Sequence, residues 1–309
     1  MRIVFFSHHH RGDIHTGRSF VRLIMQKVKE QCPETTFTYS HPNPFNLLSD
    51  IPNLGYDPLA YKNVDQYANF IRLGDDVYVN TWYCQQGLKY FRKYGLTIDS
   101  LYEAFDDTCK KLWEFSLSDI STEVSDFFPA IDYSKFEIEE TQRWLEEHTG
   151  PKILIENGAA ASNQAVNFDM APIIAELAKK HMDKIFILSK GANIKLPDNV
   201  VYTSNIIKKK DKQLSDLNEV SFLSTHCDTI IGRASGVWTF ALTQENLFKR
   251  KVKFIGFVKP IVMPKKPEQF WLSTMLQDKV KYSAEFSLST ETNTKKVLNM
   301  LDERLANAL

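Results

Sequence analysis

Short apolar runs, each closed by a polar loop and followed by a stretch of helical period, recur along the chain. Arg2 to Ser7 (RIVFFS) is short and apolar enough for a buried strand, and Arg18 to Lys29 carries Phe20, Val21, Leu23, Ile24 and Val28 on one helical face. Thr35 to Tyr39 and Asp76 to Asn80 read as further strands. Residues 41 to 60 hold four prolines with several Asn and Asp and read as a long loop, with a short helix expected at Val64 to Leu73. From Leu88 to Phe128 the pattern is mostly helical.

Glu137 to His148 predicts a helix that stops at Gly150-Pro151. The same grammar then restarts. Lys152 to Glu156, Lys184 to Ser189, Val200 to Tyr202, Thr229 to Ile231 and Lys253 to Phe257 read as strands, and Met170 to Lys180, Leu217 to Thr225 and Val237 to Phe248 as helices. Thr290 to Leu309 is amphipathic through Val297, Leu298, Leu301 and Leu305, with both charge signs on its polar face.

Strands alternating with helices argue parallel sheets covered on both faces. Two such series predict an α/β chain of two Rossmann-like domains facing a central cleft. The expected division is 1–149, 150–289 and a closing C-terminal helix over 290–309.

Composition narrows the classes. The 309 residues include 38 basic and 38 acidic side chains and 12% aromatics, which excludes a disordered or fibrous chain and removes any global attraction to nucleic acid or anionic lipid. Cys32, Cys84, Cys109 and Cys227 form no CxxC pair and read as reduced thiols. No run reaches the roughly 18 to 20 apolar residues of a membrane span, and the histidines after MRIVFFS do not make a signal-peptide centre. The expectation is a cytoplasmic protein without integral membrane association.

In open parallel sheets ligands sit beyond the carboxyl ends of the strands, so the loops there are where chemistry is sought. Ser7 to Arg18 (SHHHRGDIHTGR) packs four histidines, an aspartate and two arginines, and Asp13 or His15 could take a proton from a hydroxyl. A solvated loop is the plain alternative; adjacent histidines diverge, so no metal site is assigned. Glu156 to Gln164 (ENGAAASNQ) offers Gly158, Asn163 and Gln164 near a helix start suited to phosphate, although a tight turn reads equally well. Lys190 ends the KIFILSK run, where it could neutralise a diphosphate. In Asp216 to Gly236 a helix leads to a strand ending in Gly232 and Arg233, then Ser235 and Gly236 open the next helix. His10, Arg18, Trp82 and Tyr83 are acceptor-side candidates, the last two able to stack on a sugar or a base. Lys208, Lys209, Lys210 and Lys212 make a charge run that usually marks a solvated loop.

The second half resembles the donor domain of GT-B glycosyltransferases, and is similar to that of heptosyltransferases and fucosyltransferases. Leu223, Ser224, Asp228, Ile231, Gly232, Ser235 and Gly236 stand in the places of an "L..S...D..IG..SG" pattern ahead of a helix that faces the nucleotide-sugar phosphates. The resemblance is clearest over residues 152 to 257 and only architectural before them. It implies transfer of a sugar from a nucleotide-sugar co-substrate to an acceptor hydroxyl, without a metal or other cofactor; the sequence contains no Asp-x-Asp. Asp13 or His15 would be the base, Arg233 and Lys190 with Ser235 and Gly236 would meet the diphosphate, and Asn163 or Gln164 would assist. The acceptor would be a glycan, a lipid-linked group or a modified nucleic acid. Alternative readings are an epimerase or hydrolase of the same architecture and a noncatalytic nucleotide- or sugar-binding protein.

Overall fold

The computed structural model describes all residues except 9, 67, 82–99, 161–164, 234–236, 261–279 and 307–309, and the side chains at 63 and 237. The described chain forms two compact units. One holds Met1–Lys135 and the return segment Asp211–Ser215, and the other begins at Phe136, ahead of Gly150, so that the helix before Gly150 belongs to the second unit.

In the first unit β1 (Arg2–Phe6), α1 (Arg11–Gln31), β2 (Thr36–Ser40), β3 (Leu54–Tyr56), β4 (Phe70–Leu73), β5 (Asp76–Asn80) and α2 (Leu101–Trp113) follow one another. The sheet order is β3-β2-β1-β5-β4, parallel except between β4 and β5. Ile3 to Phe6 are buried without interruption, as a strand covered on both faces requires. Phe20 of α1 stacks on Phe105 of α2 at 4.6 Å and meets Phe127 at 5.3 Å. Val4, Phe6 and Tyr78 pack instead with Ala60 and Val64. The segment Asp211–Ser215 is held to this unit by Asn46, whose amide nitrogen donates to the Ser215 carbonyl at 2.7 Å while its oxygen accepts from the Ser215 N–H at 3.2 Å.

Several elements differ from the sequence reading: Leu54–Tyr56, within the expected loop, and Glu285–Ser289, where no strand was read, are both edge strands. The helix expected from Arg18 starts at Arg11, because Asp13 at its third position accepts from the His10 N–H at 3.1 Å and closes the first turn. The helix expected at Val64 to Leu73 is not formed. Phe70–Leu73 is instead a strand antiparallel to β5, joined by a turn in which Gly74 takes φ 61°, the left-handed conformation of a tight hairpin. The single helix expected over Val237 to Phe248 is interrupted. Asn246 donates to the Ala241 carbonyl and to Ser224 Oγ, both at 2.9 Å, and its N–H bonds Thr243 Oγ1, so side chains take the place of the helical ladder.

The second unit contains α3 (Glu139–Glu147), β6 (Lys152–Glu156), α4 (Ala171–Lys180), β7 (Ile185–Leu188), β8 (Val200–Tyr202), α5 (Leu217–Ser224), β9 (Thr229–Arg233), α6 (Val237–Phe240), β10 (Lys253–Phe257), β11 (Glu285–Ser289) and α7 (Thr294–Ala306). Its six strands run parallel in the order β11-β10-β9-β6-β7-β8. Numbered within the unit this is the doubly wound 3-2-1-4-5-6 order read from the β8 edge, and the winding reverses between β6 and β9. Ile153, Ile155, Phe186 and Leu188 pack with Ile173 and Leu177 of α4 and with Val297, Leu301 and Leu305 of α7, so the terminal helix completes the core of this unit. Asp302 fastens it from outside, accepting from Lys180 at 2.5 Å and pairing with His181 at 2.8 Å. Among the described residues no helix is long and apolar enough to cross a membrane.

Candidate functional site

The reversal of winding in the second unit opens a crevice beyond the carboxyl ends of β6 and β9, where a parallel sheet binds its ligand. Glu156 ends β6, and its Oε1 accepts from the Gly158 N–H at 2.8 Å and from Ser189 Oγ at 3.0 Å. Asn157 then continues the β6–β7 pairing with its side chain: Oδ1 accepts from the Lys190 N–H at 2.8 Å and Nδ2 donates to the Lys190 carbonyl at 2.9 Å. Both loops are thereby fixed to one another. A Cβ at position 158 would lie 2.6 Å from Glu156 Oε1 and 3.2 Å from Lys190 Cγ, so a side chain there would have to displace the Glu156 carboxylate. The side chain of Lys190 is exposed at this edge.

Arg233 ends β9 and is only 3% exposed. Its Nη1 donates to the carbonyls of Asn157 at 2.9 Å and Gly158 at 2.6 Å, its Nε to that of Val166 at 3.3 Å, and its Nη2 to that of Phe168. Burial pushes the guanidinium pKa down, and the charges of Glu156 and Asp169 act against that shift. Asn167 adds a second brace by pairing both backbone groups of Ala160, at 2.8 and 3.1 Å. The arginine read from the sequence as a direct diphosphate contact is thus engaged with four carbonyls of the loop after β6. Its geometry is that of a residue that shapes the loop, and Lys190 is an exposed cation at this edge.

Asn163, Gln164, Ser235, Gly236, Trp82 and Tyr83 lie outside the described residues. Ala160 and Asn167 bracket the first two, and Arg233 immediately precedes the segment that holds Ser235 and Gly236. Sequence reasoning passed over Glu156, Asn157 and Asn167. Asn157 follows directly on an apolar run, which is the signal that could have found it.

In the first unit the winding reverses between β1 and β5, where Thr81 donates through its N–H to the Phe6 carbonyl at 2.9 Å. The helix that follows β1 carries the four remaining candidates. His10 is its exposed N-terminal cap and Asp13, 8% exposed, stands in the first turn. His15 and Arg18 are each 1% exposed and face inward. Arg18 forms a buried ion pair with Asp50, donates to the Leu47 carbonyl at 3.2 Å and lies 3.3 Å from His15 Nδ1. Asp50 in turn accepts from the Asp132 N–H at 3.3 Å. Arg18, expected at the acceptor, therefore ties α1 to the loop around Leu47, and of these four residues only His10 is exposed. Lys209 is likewise drawn in, pairing with the buried carboxylate of Glu219 at 2.5 Å, which removes it from the solvated run expected from the sequence. Among the described residues no group of three or more His, Cys, Asp and Glu side chains converges as a metal site.

No protein-family model matches the chain, and no curated protein matches it by sequence. Solved structures match it along its whole length. ADP-heptose LPS heptosyltransferase II of E. coli superposes with a TM-score of 0.51 over 99% of both chains at 13% identity. A glycosyl transferase family 9 protein from Veillonella parvula gives 0.52 over 100% of this chain and 92% of its own, again at 13% identity. E. coli heptosyltransferase WaaC, solved with ADP, gives 0.50 at 11% identity over 100% and 99%. The chain has a GT-B fold. Of the GT-B donor-domain pattern read from the sequence, Leu223 and Ser224 end α5 and Ile231 and Gly232 lie on β9, while Ser235 and Gly236 lie outside the described residues.

Proposed function

We propose that this GT-B chain is a glycosyltransferase that moves a sugar from a nucleotide-sugar to an acceptor hydroxyl without a metal ion. The observation that carries the reading is the built edge at the switch point of the second unit, where Glu156, Asn157 and Arg233 fix two loops around Gly158 and leave Lys190 exposed. Lys190 supplies the charge that the departing diphosphate needs.

In the reaction the acceptor oxygen attacks the anomeric carbon, the bond from that carbon to the diphosphate oxygen breaks, and the acceptor proton passes to a base. Asp13 is assigned that role, being a carboxylate in the first turn of α1 that keeps 8% exposure against 1% for His15. The structural neighbours named as heptosyltransferases support a nucleotide-diphosphate sugar as donor, and the solved WaaC complex with ADP makes an adenine nucleotide the first to try.

The test is a thermal-shift screen of nucleoside diphosphates and nucleotide-sugars, followed by chromatography for release of the nucleotide. A ligand at about 100 times its dissociation constant adds roughly 2.7 kcal/mol of stability. Absence of any shift across ADP-, GDP-, UDP- and CMP-linked sugars would overturn the reading.

A further inference from the structure

A graded row of rings runs out of the first unit at the carboxyl ends of β2 and β3. Buried Tyr39 meets buried His41 at 5.3 Å, His41 meets Tyr56 at 5.0 Å, and Tyr56 meets Phe45 at 6.2 Å with the planes inclined by 46°. Exposure rises along the row to 37% at Tyr56 and 54% at Phe45. Tyr56 is held in place. The Tyr56 hydroxyl donates to the carbonyls of His41 at 3.0 Å and Asn43 at 2.8 Å, and the Asn43 N–H donates to His41 Nδ1 at 3.0 Å. Phe45 opens a turn of 3-10 helix whose next three residues are buried.

Presenting two aromatic rings to water forgoes hydrophobic stabilisation, and tying Tyr56 in place adds an entropic cost. Such an arrangement fits a ligand with one flat face of C–H groups. The rim is polar: Asn43 Oδ1 accepts from Arg11 Nε at 3.4 Å, and Arg11 belongs to the same first turn of α1 as Asp13. A pyranose ring has both properties, since its axial C–H groups meet the negative face of an aromatic ring while its equatorial hydroxyls reach amide and guanidinium groups at the edge.

We infer that Phe45 and Tyr56 form a stacking subsite for a pyranose ring, with Asn43 and Arg11 meeting its hydroxyls. Resting on the proposed glycosyltransferase reading, the ring bound there is part of a carbohydrate acceptor, brought to the turn that carries Asp13. Among the acceptor classes considered from the sequence, the subsite selects a glycan.

The test is saturation-transfer NMR on the full chain with methyl glucopyranoside, methyl galactopyranoside and methyl mannopyranoside, and with sorbitol and uridine as comparison probes. The expected result is saturation of the ring C–H protons of at least one pyranoside, an affinity loss of about fivefold in Phe45→Ala, the size of one aromatic contact, and retention in Phe45→Trp. The inference is overturned if no pyranoside is saturated, if Phe45→Ala binds like the parent, or if uridine or sorbitol is preferred over the pyranosides. A nucleotide-sugar thermal shift on the same sample separates the two ideas. Pyranoside binding without any nucleotide-sugar shift keeps the subsite and removes the transferase reading, and the converse removes the subsite alone.

Discussion

Arg233 donates through Nη2 to the backbone carbonyl of Phe168 and lies 5.4 Å from the centre of the same residue's ring. Phe168 itself packs edge-on against Phe257 of β10 at 5.0 Å. One side chain therefore connects the end of β9 to the far end of the loop that begins after β6. In a doubly wound sheet these are the two strands that flank the binding crevice. A buried guanidinium with its donors on carbonyls holds the loop by hydrogen bonds to a charged group, each stronger than a neutral one.

Replacing Arg233 by methionine keeps the length of the side chain and leaves the carbonyls of Asn157, Gly158, Val166 and Phe168 without their donor. The expected loss is about 3 kcal/mol or more, the scale of breaking a buried charged group's hydrogen bonds. Arg233→Lys keeps a charge without the planar fork and should fall between parent and methionine variant. Denaturant melts and nucleotide-sugar binding are to be measured together, with both declining in parallel. A methionine variant of parental stability would remove Arg233 from the loop's support.

Gly232 precedes Arg233 on β9 and pairs with Glu156 across the ladder. A Cβ at Gly232 would lie 2.5 Å from Glu156 Cβ and 3.0 Å from the Glu156 carbonyl oxygen, contacts that only a backbone shift relieves. Gly232→Ala should therefore cost about 1–3 kcal/mol and displace the carboxylate that holds Gly158 and Ser189. Gly191→Ala is the control, because a Cβ there meets nothing within 4 Å. Equal melting temperatures for the two variants would contradict the close approach.

The inner strands of both sheets were legible because parallel strands covered on two faces write continuous apolar runs, as KILIE and KIFIL do, whereas the edge strands β3, β4 and β11 write no such run and were not read. At the start of α1 and in the segment after Val237, where the pattern misled, local side-chain bonds had won. The histidine-rich stretch after β1 contains Gly12 and Gly17, which argue against a helix, yet the Asp13 cap and the burial of Ile14, His15 and Arg18 start one at Arg11. The hairpin at Gly74 was signalled by the Gly-Asp pair in RLGDD and was hidden by the helical spacing of the residues before it. The charged candidates carried the least information. An arginine at the end of a strand has the same sequence signature whether it meets a phosphate or four carbonyls, and only the partners of Arg233 and Arg18 separate the two.

Asp13 combines a structural and a proposed chemical task that a single substitution can separate. Asp13→Asn keeps a side-chain oxygen for the His10 N–H, the 3.1 Å bond that starts α1, and removes the carboxylate that would take a proton. Transfer should fall by about 100-fold or more while the melting temperature stays near that of the parent. His15→Ala should instead show first as lost stability, since His15 is buried beside Arg18. Parental turnover in Asp13→Asn would exclude Asp13 as the base.

His41 makes the first unit sensitive to acid. Burial pushes its pKa down to about 4, and its Nδ1 accepts from the Asn43 N–H at 3.0 Å, a bond that protonation of that nitrogen breaks. The folded value lies below that of the unfolded chain, about 6.5, so on acidification the unfolded state binds the proton first. The contribution of His41 is then complete above about pH 6.5, falls between about 6.5 and 4, and levels off below, amounting to roughly 3 kcal/mol. His8 and His226, also held down by burial, tilt the curve in the same direction. His41→Gln offers an amide oxygen to Asn43 and does not titrate, so its melting temperature should fall less steeply between pH 7 and 4 than that of the parent. Parallel curves for parent and variant over that interval would show that His41 is not the group being titrated.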